Sequence, residues 1–253
     1  VYLESLVERP RHVEIQVLGD RSGAVTHLFE RDCSVQRRHQ KIIEEAPGPA
    51  LSRAVIHPLL DQVAATLGRM GYDNIGTVEM LMGQDGDFRF LEMNTRLQVE
   101  HGVTEEVTGV DLVAAQLRSA AGASLGDVVP AAPTLSGHAV QARVYAEDPK
   151  RFYPSPGRLT AFAPPHAPGI RVETGYASGR DVTPHYDPLL AKVISHAPTR
   201  AEAIDRLIDA LRAFDIAGVK HNIPALVAIL NSDEFRAGDV HTGLATEVVA
   251  RMH

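Results

Sequence analysis

Two apolar-rich runs, residues 75–82 and 88–94, are separated by a short polar sequence that contains an Asp-Gly dipeptide. This pattern predicts a β-hairpin, because the glycine accepts the positive φ that a tight turn requires. If the loop is centred on the dipeptide, Glu79 lies directly opposite Glu92 on neighbouring antiparallel strands, and Asn94 lies on the same face. Opposed carboxylates repel each other, so this pairing demands a neighbouring positive charge.

Either a bound metal ion or a basic side chain could supply this positive charge. Carboxylate and amide oxygens suit Mg²⁺ or Mn²⁺, which take few protein ligands and leave positions for substrate phosphates. Alternatively, the hairpin has an ordinary polar face whose carboxylates are neutralised by Lys or Arg. The hairpin alone leaves both interpretations open.

The sequence directly after the hairpin adds polar residues at alternating positions. If the chain stays extended, Glu92, Asn94, Arg96, Gln98 and Glu100 all lie on one face. An Arg beside a Glu near a bound cation could hold a small planar oxyanion, and the Glu could accept its proton. These residues favour the metal-site interpretation.

A second polar stretch, residues 30–46, is dense in charge and lacks a clear period. We therefore expect it to lie along a surface or a cleft. Its basic run, residues 36–41, has His39 and Lys41 as candidate anion ligands beside a metal–phosphate site, and is otherwise a solvated or salt-bridged face. Alternation places Arg143 on a strand, and Asp187 is typical of a turn.

The remaining pattern predicts an α+β chain. Strands are expected at 12–18, 24–29, 138–145 and within 158–194, and helices at 51–70 (with Pro58 inside), 111–121, after the capping box Thr199–Glu202, and last near Asn222. The Ala-, Pro-, Gly- and Ser-rich stretch 123–136 predicts a linker between two domains, 1–122 and 137–253.

Composition excludes several functions. Asp and Glu outnumber Lys and Arg by 32 to 25, which argues against nucleic acid as a main partner. The sequence contains no run of about 18 apolar residues, so it predicts no membrane-spanning helix. Cys33 is the only cysteine, so neither an intramolecular disulfide nor a multi-cysteine zinc site is possible, and a reducing compartment is favoured.

The opening Val-Tyr-Leu-Glu reads as the middle of a strand and suggests a piece of a longer polypeptide.

These segments together are similar to biotin carboxylase, and the similarity runs in order along essentially the whole chain. The resembling segments are Arg11-His12-Val13-Glu14-Ile15-Gln16, Glu30-Arg31-Asp32-Cys33-Ser34-Val35-Gln36-Arg37-Arg38-His39-Gln40-Lys41, Glu44-Glu45-Ala46-Pro47, Glu92-Met93-Asn94-Thr95-Arg96-Leu97-Gln98-Val99-Glu100-His101, Gly137-His138-Ala139 with Arg143, Ala146-Glu147-Asp148-Pro149, and His185-Tyr186-Asp187-Pro188. The sequences of these segments most resemble those of the α-subunits of acyl-CoA carboxylases, especially the methylcrotonoyl-CoA type. The resemblance implies the C-terminal half of an ATP-grasp domain, an antiparallel sheet with helices, followed by the biotin carboxylase C-terminal domain.

The resemblance also implies roles for individual residues. Glu79, Glu92 and Asn94 resemble the ligands of Mg²⁺ (or Mn²⁺), and Glu100 resembles the base that deprotonates bicarbonate. Bicarbonate and biotin would be held by Lys41, Arg96, Gln98, Val99, Arg143 and Asp187, of which Lys41, Arg96 and Arg143 also resemble catalytic residues. Nucleotide contacts would come from Glu4, Ser5, Val7, His12, Gln36, His39, Glu79, Leu81, Glu92 and Ile216.

The implied reaction uses ATP and bicarbonate to carboxylate biotin on a carrier domain, through carboxyphosphate. Implied partners are the biotin carrier, a carboxyltransferase subunit and a second copy in a homodimer, in the cytoplasm or the mitochondrial matrix. Two positions depart from the family: Gly102 replaces a usual Pro, and Ser5 replaces a longer residue. No Gly-rich phosphate loop occurs near residue 1, so we expect this chain to be weakly active or inactive alone.

Two other functions remain open. One is a different ATP-grasp ligase, such as a carbamoyl-phosphate-forming enzyme, which the paired carboxylates and Asn94 also fit. The other is a non-catalytic module that docks a carboxyltransferase. Arg143 and the basic run favour the biotin enzyme. The inert module is disfavoured because the chain has all of Glu79, Glu92, Asn94, Arg96 and Glu100.

Overall fold

The computed structural model describes residues 3–129 and 133–252. The strands are β1 (Arg11–Gly19), β2 (Val25–Arg37), β3 (Gln40–Ala46), β4 (Asn74–Met82), β5 (Phe88–Asn94), β6 (His138–Tyr145), β7 (Gly157–Arg158), β8 (Ala161–Ala163), β9 (Ile170–Thr174), β10 (Asp181–Val182), β11 (Leu189–Ala197) and β12 (Asp215–Ala217). The helices are α1 (Arg53–Arg69), α2 (His101–Thr108), α3 (Leu112–Ala120), α4 (Leu125–Val128), α5 (Arg200–Ala213), α6 (Ile223–Asn231), α7 (Asp233–Ala237) and α8 (Leu244–Ala250). The α+β class predicted from the sequence is confirmed.

The chain divides into two compact units. Unit 1 comprises the described residues up to Ser34 and those from Glu45 to Ser136, and unit 2 comprises residues 35–44 and those from Gly137 onward. Strands β2 and β3 therefore contribute residues to both units. Helix α4 lies within the stretch 123–136 that the sequence suggested as a linker, and residues 130–132 of that stretch lie outside the described part.

The sheet of unit 1 has the strand order β5-β4-β1-β2, and each neighbouring pair is antiparallel. Its two faces differ because side chains alternate along each strand. Val13, Ile15 and Val17 of β1 are fully buried, and helix α1 packs with the last two on that face. The opposite face carries Glu14 and Gln16, which are also buried.

Helix α1 shows how tertiary packing shifts a pattern seen in the sequence. The helix contains Pro58, as predicted, and Ile56, Leu60, Ala64 and Leu67 form its buried side. The apolar residues of 51–70 at helical spacing, Val55, Leu59, Val63, Leu67 and Met70, would form such a stripe from the sequence alone, but Val55 is 55% exposed. The buried stripe is therefore displaced by one position at the start of the helix.

The expectation for residues 30–46 was wrong. This charged stretch is the end of β2 followed by β3, and residues 30–37 and 42–46 are buried, whereas residues 38–40 at the turn are exposed. The period was hidden because both faces of the buried strand segments are covered, so charged and apolar residues alternate there without either set reaching solvent. Ion pairs inside the fold compensate the buried charges.

Unit 2 has strands in the order β3-β6-β11-β9, together with the pairs β10-β7 and β12-β8. Helices α5 and α6 pack on β6 through Leu207, Leu211, Leu226 and Ile229. The capping box is confirmed: the Thr199 hydroxyl accepts from the backbone N–H of Glu202, and the Glu202 carboxylate accepts from that of Thr199.

Two further expectations about helices needed correction. Asn222 does cap a helix, α6, but α7 and α8 follow it, so the helix near Asn222 is not the last. Helix α2, between β5 and α3, was not predicted. Among the described residues, no helix has the length and apolar character needed to cross a membrane.

Candidate active site

The polar face of the unit 1 sheet carries one row of charged residues across four strands. Register pairs Arg31 of β2 with Glu14 of β1, Glu14 with Glu79 of β4, and Glu79 with Glu92 of β5. The predicted pairing of Glu79 with Glu92 is confirmed. Burial decreases along the row, since Glu14 is 0% exposed, Glu79 is 5% exposed, and Glu92 is exposed. The row therefore runs from a neutralised buried end to an open end.

A β-bulge explains why the simple register argument succeeded. The hairpin pairs Met82 with Phe88, which by itself would set Glu79 opposite Leu91. The register shifts by one residue between Glu79 and Met80, because Leu91 is the extra residue of β5. That shift brings Glu92 into register with Glu79.

Two side-chain amides connect the open end of the row. Asn94 Nδ2 donates to Glu79 Oε1 at 2.8 Å and to Glu92 Oε1 at 3.0 Å. Gln98 Nε2 donates to the same Glu79 oxygen at 2.6 Å. Glu79, Glu92 and Asn94 thus converge as predicted, and each carries an oxygen of the kind that Mg²⁺ or Mn²⁺ prefers.

His12 lies beside the buried end of the row. Its Nε2 is 2.8 Å from Glu79 Oε2 and 3.5 Å from Glu14 Oε1. Its backbone N–H donates to the Ser34 hydroxyl at 2.9 Å, which fixes the strand position of the ring. The structure therefore places His12, a predicted nucleotide contact, against a predicted metal ligand.

Arg31 neutralises the buried end. Its Nη2 and Nε donate to Glu14 Oε2 at 3.0 and 3.2 Å. Burial by itself lowers the pKa of this guanidinium, but the charges of Glu14, Glu100 and Cys33 more than offset that effect and raise the pKa above its ordinary value. Arg31 therefore remains a cation inside the fold.

The segment after β5 corrects the extended-chain expectation. β5 ends at Asn94, and Glu100 is the N-cap residue of α2, so residues 95–100 do not continue the strand. Gln98 and Glu100 are buried, whereas Arg96 and Val99 are exposed. The five polar residues therefore do not share one face, although Asn94, Gln98 and Glu92 still belong to one cluster.

Unit 2 carries a second polar row. Arg143 of β6 is in register with Lys192 of β11, which is in register with Glu173 of β9. Arg143 Nε donates to Glu44 Oε1, and Gln141 Nε2 donates to Glu44 Oε2 at 3.0 Å. Arg143 thus lies on a strand, as predicted, and its guanidinium is held by a fully buried carboxylate.

Other predicted residues of unit 2 lie in different settings. Gln36 is buried in β2, Lys41 is half-buried in β3, and Ile216 is 9% exposed in β12. His39 occupies the two-residue turn between β2 and β3, where both Arg38 (φ 48°) and His39 (φ 64°) have positive φ. Asp187 is exposed in the segment before β11, where its carboxylate accepts from the Leu189 backbone N–H at 2.9 Å.

The remaining predicted nucleotide contacts belong to unit 1. Glu4 and Ser5 are exposed and Val7 is half-buried, in the segment that precedes β1. Leu81 is half-buried in β4, two residues from Glu79 and in register with His12. The structure thus brings Leu81 near the polar row.

Sequence reasoning missed several members of the unit 1 cluster, namely Glu14, Gln16, Arg31, Thr77 and Thr104. The available signal was the alternation of Glu14 and Gln16 with three β-branched residues, which indicates a polar face but not its burial. Thr104 belongs to the unpredicted helix α2, so its contact with Arg31 had no sequence signal.

Comparison with known proteins agrees with this architecture. The family described as "Carbamoyl-phosphate synthase L chain, ATP binding domain" matches residues 1–128, and "Biotin carboxylase C-terminal domain" matches residues 141–247. The first match defines the ATP-grasp class of ATP-binding domain for the N-terminal part. With both matches in order, the chain belongs to the biotin carboxylase family.

Individual relatives are longer than this chain. It is 49% identical to biotin carboxylase 2 of Bacillus subtilis (96% of this chain, 54% of the relative). It is 48% identical to the mitochondrial methylcrotonoyl-CoA carboxylase subunit alpha of Arabidopsis thaliana (96% and 33%). The biotin carboxylase domain of Hydrogenobacter thermophilus 2-oxoglutarate carboxylase, solved with MgADP, ADP and bicarbonate, superposes with a TM-score of 0.94 at 41% identity (99% and 56%). The chain thus spans about half the length of the biotin carboxylases, and less of the multidomain relative.

Proposed function

We propose that the protein containing this chain uses MgATP and bicarbonate to carboxylate biotin carried on another domain or chain, as part of an acyl-CoA carboxylase. The observation that supports this proposal most strongly is the row Glu14–Glu79–Glu92 with Asn94 and Gln98. This row lies in a chain whose second part matches the biotin carboxylase C-terminal domain. The solved relative with MgADP and bicarbonate supports both ligands.

The metal ligands in this proposal are Glu79, Glu92 and Asn94. They fit a hard divalent cation because each can supply an oxygen ligand, and because a cation would relieve the repulsion between the opposed carboxylates of Glu79 and Glu92. A bound Mg²⁺ would neutralise phosphate charge on ATP. The half-open setting, with Glu92 exposed, leaves coordination positions for those phosphates.

The proton and anion chemistry would belong to the segment after the hairpin and to β3. Glu100 would accept the bicarbonate proton, while Arg96, Lys41, Gln98 and the backbone of Val99 would hold the anion. Arg96 is exposed and its guanidinium donates to the Leu97 carbonyl at 3.3 Å, so this side chain has room to rearrange onto a ligand.

The biotin step would use unit 2. Arg143 would stabilise the negative charge that develops on the ureido oxygen, with Asp187 near biotin. The proposed nucleotide contacts are Glu4, Ser5, Val7, His12, Gln36, His39, Leu81 and Ile216, with Glu79 and Glu92 at the phosphates. The fixed Glu44–Arg143 pair supports this assignment, because a guanidinium held before substrate arrives need not reorganise during the reaction.

The proposed partners are a biotin carrier domain, a carboxyltransferase and a second copy of the protein. The solved Hydrogenobacter relative is described as a domain dimer, which supports the last of these. We propose a cytoplasmic location, or the mitochondrial matrix if the protein is eukaryotic, since the Arabidopsis relative is named as a mitochondrial subunit. We propose the predicted division at 123–136 as the junction between the ATP-grasp part and the C-terminal domain.

The test measures transfer of label from ¹⁴C-bicarbonate to free biotin, and ATP hydrolysis with and without each substrate. The assay compares this 253-residue chain with the natural full-length polypeptide. The proposal predicts biotin- and bicarbonate-dependent turnover in the full-length protein, and little or none in the shorter chain. Absence of turnover in both would contradict it.

A second candidate, a carbamoyl-phosphate-forming ligase, is favoured by the description of the family that matches residues 1–128. An added arm with ammonia in place of biotin separates the two. Ammonia-stimulated hydrolysis without biotin carboxylation would support this second function.

A further inference from the structure

Arg31 has more side-chain contacts than the neutralisation of one carboxylate requires. Its side chain is fully buried, and its three nitrogens make six hydrogen bonds. Besides Glu14, the acceptors are Gln16 Oε1 (2.6 Å), Thr104 Oγ1 (3.0 Å), Gln98 Oε1 (3.1 Å) and Thr77 Oγ1 (3.2 Å). A planar guanidinium fixes several partners at once because its donors have a rigid geometry.

Two of these acceptors lie outside the sheet. Gln98 belongs to the irregular segment between β5 and α2, and Thr104 belongs to α2. The Gln98 amide has one acceptor end and one donor end. Because Arg31 donates to its oxygen, its nitrogen faces Glu79 Oε1. Arg31 thereby decides which end of Gln98 meets the carboxylate.

The contact with Thr104 fixes the start of α2. This helix begins directly after Glu100, and Thr104 lies one turn further along. Glu100 occupies the N-cap position of α2 without a side-chain capping hydrogen bond to that helix. The carboxylate is 2% exposed, and its charge contributes to the raised pKa of Arg31.

We propose that Arg31 is a positioning residue that sets the orientation of Gln98 and Glu100 for bicarbonate through its hydrogen bonds to Gln98 and Thr104. This inference rests on the proposed function, because it needs Glu100 to act on bicarbonate. Arg31 does not touch a substrate in this role. It joins the rigid sheet to a segment, residues 95–100, that has no strand or helix of its own.

Two threonines offer a matched comparison. Thr77 and Thr104 are both buried, and each accepts one hydrogen bond from Arg31. Thr77 lies on β4 within the sheet, whereas Thr104 lies on α2. Thr77→Val and Thr104→Val therefore remove the same chemistry from Arg31, but only the second removes a contact with the helix that follows Glu100.

The experiment uses the full-length polypeptide and measures kcat/KM for bicarbonate, KM for ATP and the urea unfolding midpoint. Thr104→Val should lower kcat/KM for bicarbonate about tenfold, from the loss of one hydrogen bond to a charged donor. KM for ATP should stay within about twofold of the wild-type value, and Thr77→Val should leave both kinetic values within about twofold. Both variants should lower the midpoint similarly, and Thr104→Ser should restore kcat/KM.

Arg31→Lys supplies an independent variant, since it keeps the positive charge but offers a single donor nitrogen. It should lower kcat/KM for bicarbonate and leave KM for ATP unchanged. Equal kinetic losses in Thr77→Val and Thr104→Val, or unchanged bicarbonate kinetics in Thr104→Val and Arg31→Lys, would overturn the positioning role while the proposed function stands. A wild-type protein whose ATP hydrolysis ignores bicarbonate would overturn both.

Discussion

The ion pair between Glu44 and Arg143 predicts how two substitutions of Glu44 will change the free energy of unfolding. Glu44 is fully buried, and its two oxygens accept from Arg143 Nε and Gln141 Nε2. Glu44→Ala leaves the guanidinium of Arg143, itself only 9% exposed, without its carboxylate partner. Removing one member of a buried ion pair costs about 3–5 kcal/mol, and the partial exposure of Arg143 favours the lower end.

Glu44→Gln should cost much less because Gln141 can adapt. The new amide would present its oxygen to Arg143 and its nitrogen to Gln141. Gln141 Oε1 has no hydrogen-bond partner among the described residues, so a rotation of that amide would supply the acceptor. The remaining cost is the loss of the negative charge beside the Arg143 guanidinium, which then donates to a neutral amide oxygen, about 1–2 kcal/mol.

Urea unfolding of the 253-residue chain, followed by circular dichroism, measures the difference between the two variants. We expect Glu44→Ala to lose at least about 1 kcal/mol more free energy of unfolding than Glu44→Gln. Equal losses would refute the role assigned to Gln141. A loss below about 1 kcal/mol in Glu44→Ala would refute the ion pair itself.

Three other predictions concern side chains of unit 2, one of them with a control residue on α3 of unit 1. Thr199→Ala should lower the free energy of unfolding by about 1 kcal/mol, since the capping box loses its hydroxyl, while Thr199→Ser should retain most of it in urea unfolding. Leu207→Ala should cost about 2–5 kcal/mol by opening a cavity, whereas Leu117→Ala, at a position 67% exposed, should change stability by less than about 0.5 kcal/mol. Burial raises the pKa of Glu147 above its ordinary 4.5 despite the neighbouring Arg37. The folded state therefore binds that proton more tightly, so the stability of Glu147→Gln relative to wild type should increase as pH rises from about 4.5, and a flat difference between the two pH profiles would contradict this.

The sequence predicted the site where a local rule determined the geometry. The turn signal and strand alternation located the hairpin, and the bulge at Leu91 then brought Glu92 opposite Glu79, with Asn94 beside them. The same local logic found the Thr199 capping box and the strand that holds Arg143. The functional family followed from motif resemblance, which the comparisons bear out.

The failures have a common physical origin in long-range burial. The charge density of residues 30–46 is typical of a solvated stretch. In the fold, however, Glu14 and Gln98 come from distant parts of the chain and accept hydrogen bonds from Arg31. The chain after Asn94 leaves the strand because α2 begins at His101, and no strong start signal such as Ser, Thr or Asp precedes it. Propensity alone cannot show which charges will be compensated inside the fold.

Glu100 is the residue through which the proposed function can be tested most directly. The measurement is bicarbonate-dependent ATP hydrolysis by the full-length Glu100→Gln variant, together with its Kd for ATP. Loss of a general base predicts a decrease of at least about 100-fold in bicarbonate-dependent turnover, with the Kd for ATP unchanged. Retained turnover, or loss of ATP binding instead of turnover, would contradict the account.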